Sequence, residues 1–132
     1  LMSKKDIVIK FNNITRNLLS DMKHIIGNSY YTKFNLITRI NSTYPITKFK
    51  LNVLKFKKYI FEKNSEYFEN DTIVLNEINN CSDIVSQGDK EYYLNEFYYL
   101  KNIYENIDYQ SKENFWDILQ VLIFLCENYH LK

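Results

Sequence analysis

The chain has 132 residues, 45% hydrophobic and 25% charged, with a formal net charge of +1. Those values fit one globular domain with a real core and argue against a disordered chain. Two cysteines, Cys81 and Cys126, give no disulfide framework, and Cys126 lies in an apolar run that reads as a buried thiol in a reducing, cytoplasmic setting.

In chain order, a first helix is expected over about residues 4–26. Ser3 and Asp6 form a near capping box, Ile7, Phe11, Ile14 and Leu18 recur at helical spacing, and Gly27 supplies the stop. A second helix over 30–41 has Ser29 as cap and Tyr30, Phe34, Ile37 and Ile40 as its stripe. A third begins at Pro45, the only proline, which suits a first helical position. Its apolar face is Ile46, Phe49, Val53, Phe56 and Ile60, and it ends near 63–64. Asn64 caps a short turn through Phe68, and Asp71 caps a helix through Ile78 or on to Ile84.

Ser86-Gln87-Gly88-Asp89 reads as a loop, with Asp89 capping a fifth helix over 90–107. Its core stripe is Tyr93, Phe97, Leu100, Tyr104 and Ile107. Asp108-Tyr109-Gln110 breaks the pattern, and Ser111 caps a sixth helix over 112–129. There Trp116, Leu119, Ile123 and Cys126 form one stripe, while Ile118, Val121, Leu122, Phe124 and Leu125 cover the other faces. A helix apolar all round is either buried or membrane-spanning. The apolar run 118–126 has nine residues, whereas spanning takes about 20. This helix is therefore expected at the centre of the core, with the others packed around it. Ile7-Val8-Ile9 and Thr72–Leu75 are β-prone but show no sustained alternation. The expected fold is all-α: a compact single-domain bundle, residues 1–132, of five to seven helices around a buried C-terminal helix.

The chemistry on offer is thin. His24 and His130 have no partner at metal-ligand spacing, and Gly27 and Gly88 stand alone, so no phosphate-cradling loop is present. No enzyme, cofactor, metal or membrane is expected. Charge is split: residues 1–66 carry +9 and residues 67–132 carry −8. The halves attract each other in a folded domain, or one of them meets a partner. Lys48, Lys50, Lys55, Lys57, Lys58 and Lys63 interleave with Phe49, Phe56, Tyr59 and Phe61, a footprint that nucleic acid would suit. The scarcity of arginine favours instead a solvated face or an acidic protein partner. Glu91, Tyr92, Glu96, Tyr98, Tyr99 and Glu105 form a second, acidic and aromatic candidate surface.

Asp89, Tyr92-Tyr93-Leu94, Ser111-Lys112 and the run Phe115-Trp116-Asp117-Ile118-Leu119-Gln120-Val121-Leu122 resemble small uncharacterised helical proteins of nucleocytoplasmic large (giant) DNA viruses, mimivirus-like, mainly over 89–129. Phe11-Asn12-Asn13-Ile14 in the first helix is similar too. The absence of alanine and the abundance of Asn, Ile, Lys, Tyr and Phe agree with an AT-rich viral genome. The resemblance implies a place in the host cytoplasm, a viral factory or the virion, and transfers no functional residue. The leading expectation is a non-enzymatic interaction or structural protein that acts by helix-face association or by self-association. The alternative is nucleic-acid binding through residues 48–63.

Overall fold

A computed structural model describes residues 2–80 and 86–132. Every regular element among them is helical: α1 (Lys4–Asp21), α2 (Lys23–Ile26), α3 (Ser29–Ile40), α4 (Tyr44–Asn52), a 3₁₀ turn (Leu54–Phe56), α5 (Lys57–Phe61), α6 (Ser65–Glu69), α7 (Asp71–Asn80), α8 (Gln87–Asn106) and α9 (Tyr109–Leu131). The two β-prone stretches lie within α1 and α7. Cys81 and the possible extension of α7 toward Ile84 lie outside the described residues.

Several expected helices are cut into pieces or start elsewhere. Ser3 caps α1 as expected, its hydroxyl accepting from Asp6 N at 3.1 Å. The first helix then breaks at Met22 and resumes as α2, which ends at Gly27 with φ +85°, a conformation that favours glycine. The third breaks at Val53 into a 3₁₀ turn before α5. That step re-phases the chain, so Ile46 joins one core cluster and Ile60 the other.

The expected loop at 86–89 is the start of α8. Ser86 is the cap in place of Asp89, its hydroxyl accepting from Asp89 N at 3.0 Å. Likewise α9 starts three residues before its expected position. The Asp108 carboxylate caps it by accepting from Ser111 N at 2.7 Å, which holds that carboxyl below its ordinary range. Asn64 caps α6 as expected, and Asn70, not Asp71, caps α7 through Thr72 N at 3.0 Å.

The core lies along α9. On one side α1 and α4 supply Ile7, Val8, Phe11 and Ile46 against Leu122, Leu125 and Cys126. On the other, Ile60 of α5 packs with Trp116 and Ile123. Phe11 and Phe49 meet edge to face at 5.3 Å, and Phe49 belongs to the rim of both clusters. Each fully buried aliphatic or aromatic side chain contributes about 1.5–3 kcal/mol of hydrophobic stabilisation. No helix among the described residues is long and apolar enough to cross a membrane.

One stripe of α9 departs from the all-round burial expected of it. Val121 is 43% exposed and Phe124 65% exposed, although Leu122, Ile123 and Leu125 beside them are buried. The helices reach around α9 on its α1, α4 and α5 sides and leave this strip uncovered.

Candidate functional site

The two surfaces read from sequence are largely engaged within the molecule. Lys55 pairs with Glu77, and Lys57 Nζ reaches Glu127 at 2.9 Å. Lys63 pairs with Glu113 and, at 3.2 Å, with Asp117. Those carboxylates raise the Lys63 pKa above its ordinary value. Each of these pairs joins a lysine of the basic half to an acid of the acidic half. The charge split is thus met internally at these residues. Lys48 lies near the Tyr44 ring, 5.6 Å from its centroid, while Lys50 and Lys58 are exposed. Surface ion pairs of this kind contribute little net stability. They do lower the positive potential that a phosphate backbone would meet.

The acidic and aromatic candidates do not form one face. Glu96 accepts the phenol proton of Tyr30 from α3. Burial first, and that carboxylate second, push the Tyr30 phenol pKa up. The Tyr99 hydroxyl donates to the Ile26 carbonyl of α2 at 3.3 Å, and the Tyr98 hydroxyl lies 3.5 Å from Asp71 of α7. These three residues tie α8 to its neighbours. Glu91, Tyr92 and Glu105 remain exposed on the helix surface.

Two features remain unclaimed by the fold. The first is the open strip of α9. Asn114, Asp117, Val121 and Phe124 recur at three- and four-residue steps, and Leu131 follows two turns later, all exposed. Phe61 of α5, also exposed, has its ring 6.0 Å from Lys57 Nζ, the same group that holds Glu127 on α9. The strip is therefore apolar in the middle and edged on its α5 side by two ion-paired clusters.

The second is a cavity of about 660 Å³ between α5–α6, α7, α8 and α9. Its walls are Phe56, Tyr67 and Phe68, then Ile73, Val74 and Ile78 of α7, then Tyr93, Phe97, Leu100 and Tyr104 of α8, closed by Phe115, Trp116 and Leu119 of α9. Tyr93, Phe97, Leu100 and Tyr104 are four of the five residues expected to pack α8 into the core. Here they line space instead, because α8 rests on α2 and α7 and touches α9 mainly through Tyr104. A sealed dry cavity of that size would cost on the order of 16 kcal/mol at about 24 cal/mol per Å³, against a whole-domain stability of about 5–15 kcal/mol. The cavity is in fact open to solvent. Water then stands against apolar walls, the state that the hydrophobic effect penalises.

Sequence periodicity could not reveal this cavity. It reports which residues share a helix face, and the distance to the facing helix is set by long-range packing. The one available hint was composition, since the α8 stripe is mostly aromatic where a close-packed helix contact more often uses Leu and Ile.

The histidines and the thiol assemble no catalytic group. Cys126 is fully buried, and its thiol donates to the Ile46 carbonyl at 3.4 Å. Burial pushes that thiol up to about 11. His130 Nε2 lies 3.4 Å from the same carbonyl, and His24 is exposed on α2. Among the described residues, no three His, Cys, Asp or Glu side chains gather as a metal site.

No protein-family model, curated protein or solved structure matches the chain.

Proposed function

We propose that this is a non-enzymatic interaction protein that works by helix-face association, with the open strip of α9 as its contact surface and a second copy as its partner. The carrying observation is Phe124, 65% exposed on the helix that otherwise forms the centre of the core. Exposed apolar groups clustered within a polar rim are the mark of a contact surface.

The charge pattern favours a second copy. Two α9 helices laid antiparallel about a two-fold axis at the level of residues 122–123 set Val121 against the second copy's Phe124, and Asp117 level with its Asn128. The Lys63–Asp117 cluster then comes level with the second copy's Lys57–Glu127 pair, so the lysine and acid of one copy can pair with the acid and lysine of the other. The engagement of Lys55, Lys57 and Lys63 by acidic side chains supports protein contact over nucleic acid. The coding bias and the resemblance of residues 89–129 support a setting in a host cytoplasm, viral factory or virion.

Sedimentation velocity across a concentration series tests the reading. The expected result is a reversible dimer that Phe124→Glu converts to monomer with an unchanged helical circular-dichroism spectrum. Leu36→Glu, on the exposed face of α3, should leave the dimer intact. A wild-type chain that stays monomeric throughout ends the self-association reading.

A further inference from the structure

We propose that the cavity between α7, α8 and α9 binds a neutral, largely apolar small molecule carrying one hydrogen-bond acceptor. This site is separate from the α9 strip and does not depend on self-association.

Size is the first argument. About 660 Å³ falls within the roughly 300–1,000 Å³ of small-molecule sites, which are mostly apolar with a few placed polar groups. Ile73, Val74, Phe97, Leu100, Phe115 and Trp116 form such walls. A ligand would displace water that these walls cannot hydrogen-bond.

Charge decides the class of ligand. The cavity's two lysines already have anionic or carbonyl partners. Lys55 holds Glu77, and Lys101 Nζ lies 3.0 Å from the Glu69 carbonyl and 3.4 Å from Asp71. An anionic head group would have to displace one of those carboxylates. A cationic head group that sought Glu77 would have to displace Lys55. A neutral ligand does neither.

The polar handle is Tyr104. Its oxygen accepts the Trp116 indole N–H at 2.9 Å, which fixes the phenol in place. Its own proton has no acceptor among the described residues, so one donor is left to point at an ether, carbonyl or hydroxyl oxygen of the ligand.

Trp116 is the only tryptophan in the chain, so its emission reads the cavity directly. The experiment titrates the full chain with 1-decanol, decanoate and decylammonium while following that emission, with calorimetry as an independent readout. The expected result is a saturable, one-to-one response to 1-decanol, with both ions weaker by about tenfold or more. Tyr104→Phe should weaken 1-decanol about three- to tenfold, the loss of one neutral hydrogen bond. Val74→Phe, which fills the cavity from α7, should abolish the response while the helical spectrum is retained. If that variant does not fold, the Tyr104→Phe titration carries the test alone. Wild-type protein that gives no saturable response, ions that bind as well as the alcohol, a Tyr104→Phe variant that binds 1-decanol undiminished, or a folded Val74→Phe variant that binds undiminished would each overturn the proposal.

Discussion

The indole of Trp116 in α9 donates to the hydroxyl of Tyr104 in α8 at 2.9 Å, the one hydrogen bond between those two helices among the described residues. Trp116 is buried, so its N–H depends on this phenol in place of water. Tyr104→Phe should lower the unfolding free energy by about 1–3 kcal/mol, the cost of a buried donor left unpaired. Urea denaturation followed by circular dichroism measures it. A change indistinguishable from zero would mean that water reaches the indole.

Asn12 sits in the core with its Nδ2 donating to the Ser42 carbonyl at 2.9 Å and its Oδ1 without a partner among the described residues. Leucine at this position loses the donor but also removes the stranded acceptor. Asn12→Leu should therefore change stability by no more than about 1 kcal/mol in either direction. Asn12→Asp puts a carboxylate where nothing stabilises its charge, and should cost about 2–4 kcal/mol at neutral pH. Its folded pKa would lie above the unfolded one, so the penalty should shrink as pH falls through that raised value. Thermal melts of both variants between acid and neutral pH check the pair.

Cys126 ionises in the folded state only near pH 11, against an ordinary thiol value of 9.0. Below pH 9 the thiol is neutral both folded and unfolded and its ionisation adds no pH dependence. As pH rises from 9 toward 11, the unfolded chain alone releases the proton, and stability falls. Cys126→Val should flatten that part of the stability–pH curve. The native thiol should also resist alkylation at pH 8 in a Cys81→Ser background and become reactive in denaturant. Fast native labelling would contradict its burial.

Lys63 combines a left-handed backbone, φ +54°, with ion pairs to Glu113 and Asp117. Lys63→Ala keeps the backbone strain and loses the pairs, whereas Lys63→Gly loses the pairs and relieves the strain. The glycine variant should be the more stable of the two. Urea midpoints of the two variants give the order directly, and the reverse order would show that the left-handed conformation carries no strain at this position.

Local chemistry was the legible part of this molecule. Ser3 with Asp6, Gly27, and Asn64 punctuate helices because a cap or a left-handed stop acts within a turn, and the centre of the core at Ile123 and Cys126 followed from the length of the apolar run. What the sequence hid was phase and distance. The break at Val53 arises because one segment serves two core clusters, a demand that appears only after α1 and α9 are in place. Ser86 and Asp108 took over capping from Asp89 and Ser111 because several polar residues in a row can each cap, and tertiary placement selects among them. Tyr99 and Glu96 read as surface groups, yet their polar ends meet Ile26 and Tyr30 some seventy positions away in the chain.

The partition of charge has a consequence for how the chain behaves before it is whole. Residues 1–66 bear +9, and the acids that hold Lys55, Lys57 and Lys63 all come from later in the sequence. Until translation has delivered that later half, the nascent chain is a polycation beside ribosomal RNA. A proteolytic fragment truncated near residue 66 would be one permanently. Adhesion of such a fragment to RNA or DNA would then report unanswered lysines, and only the intact chain can reveal a genuine nucleic-acid site.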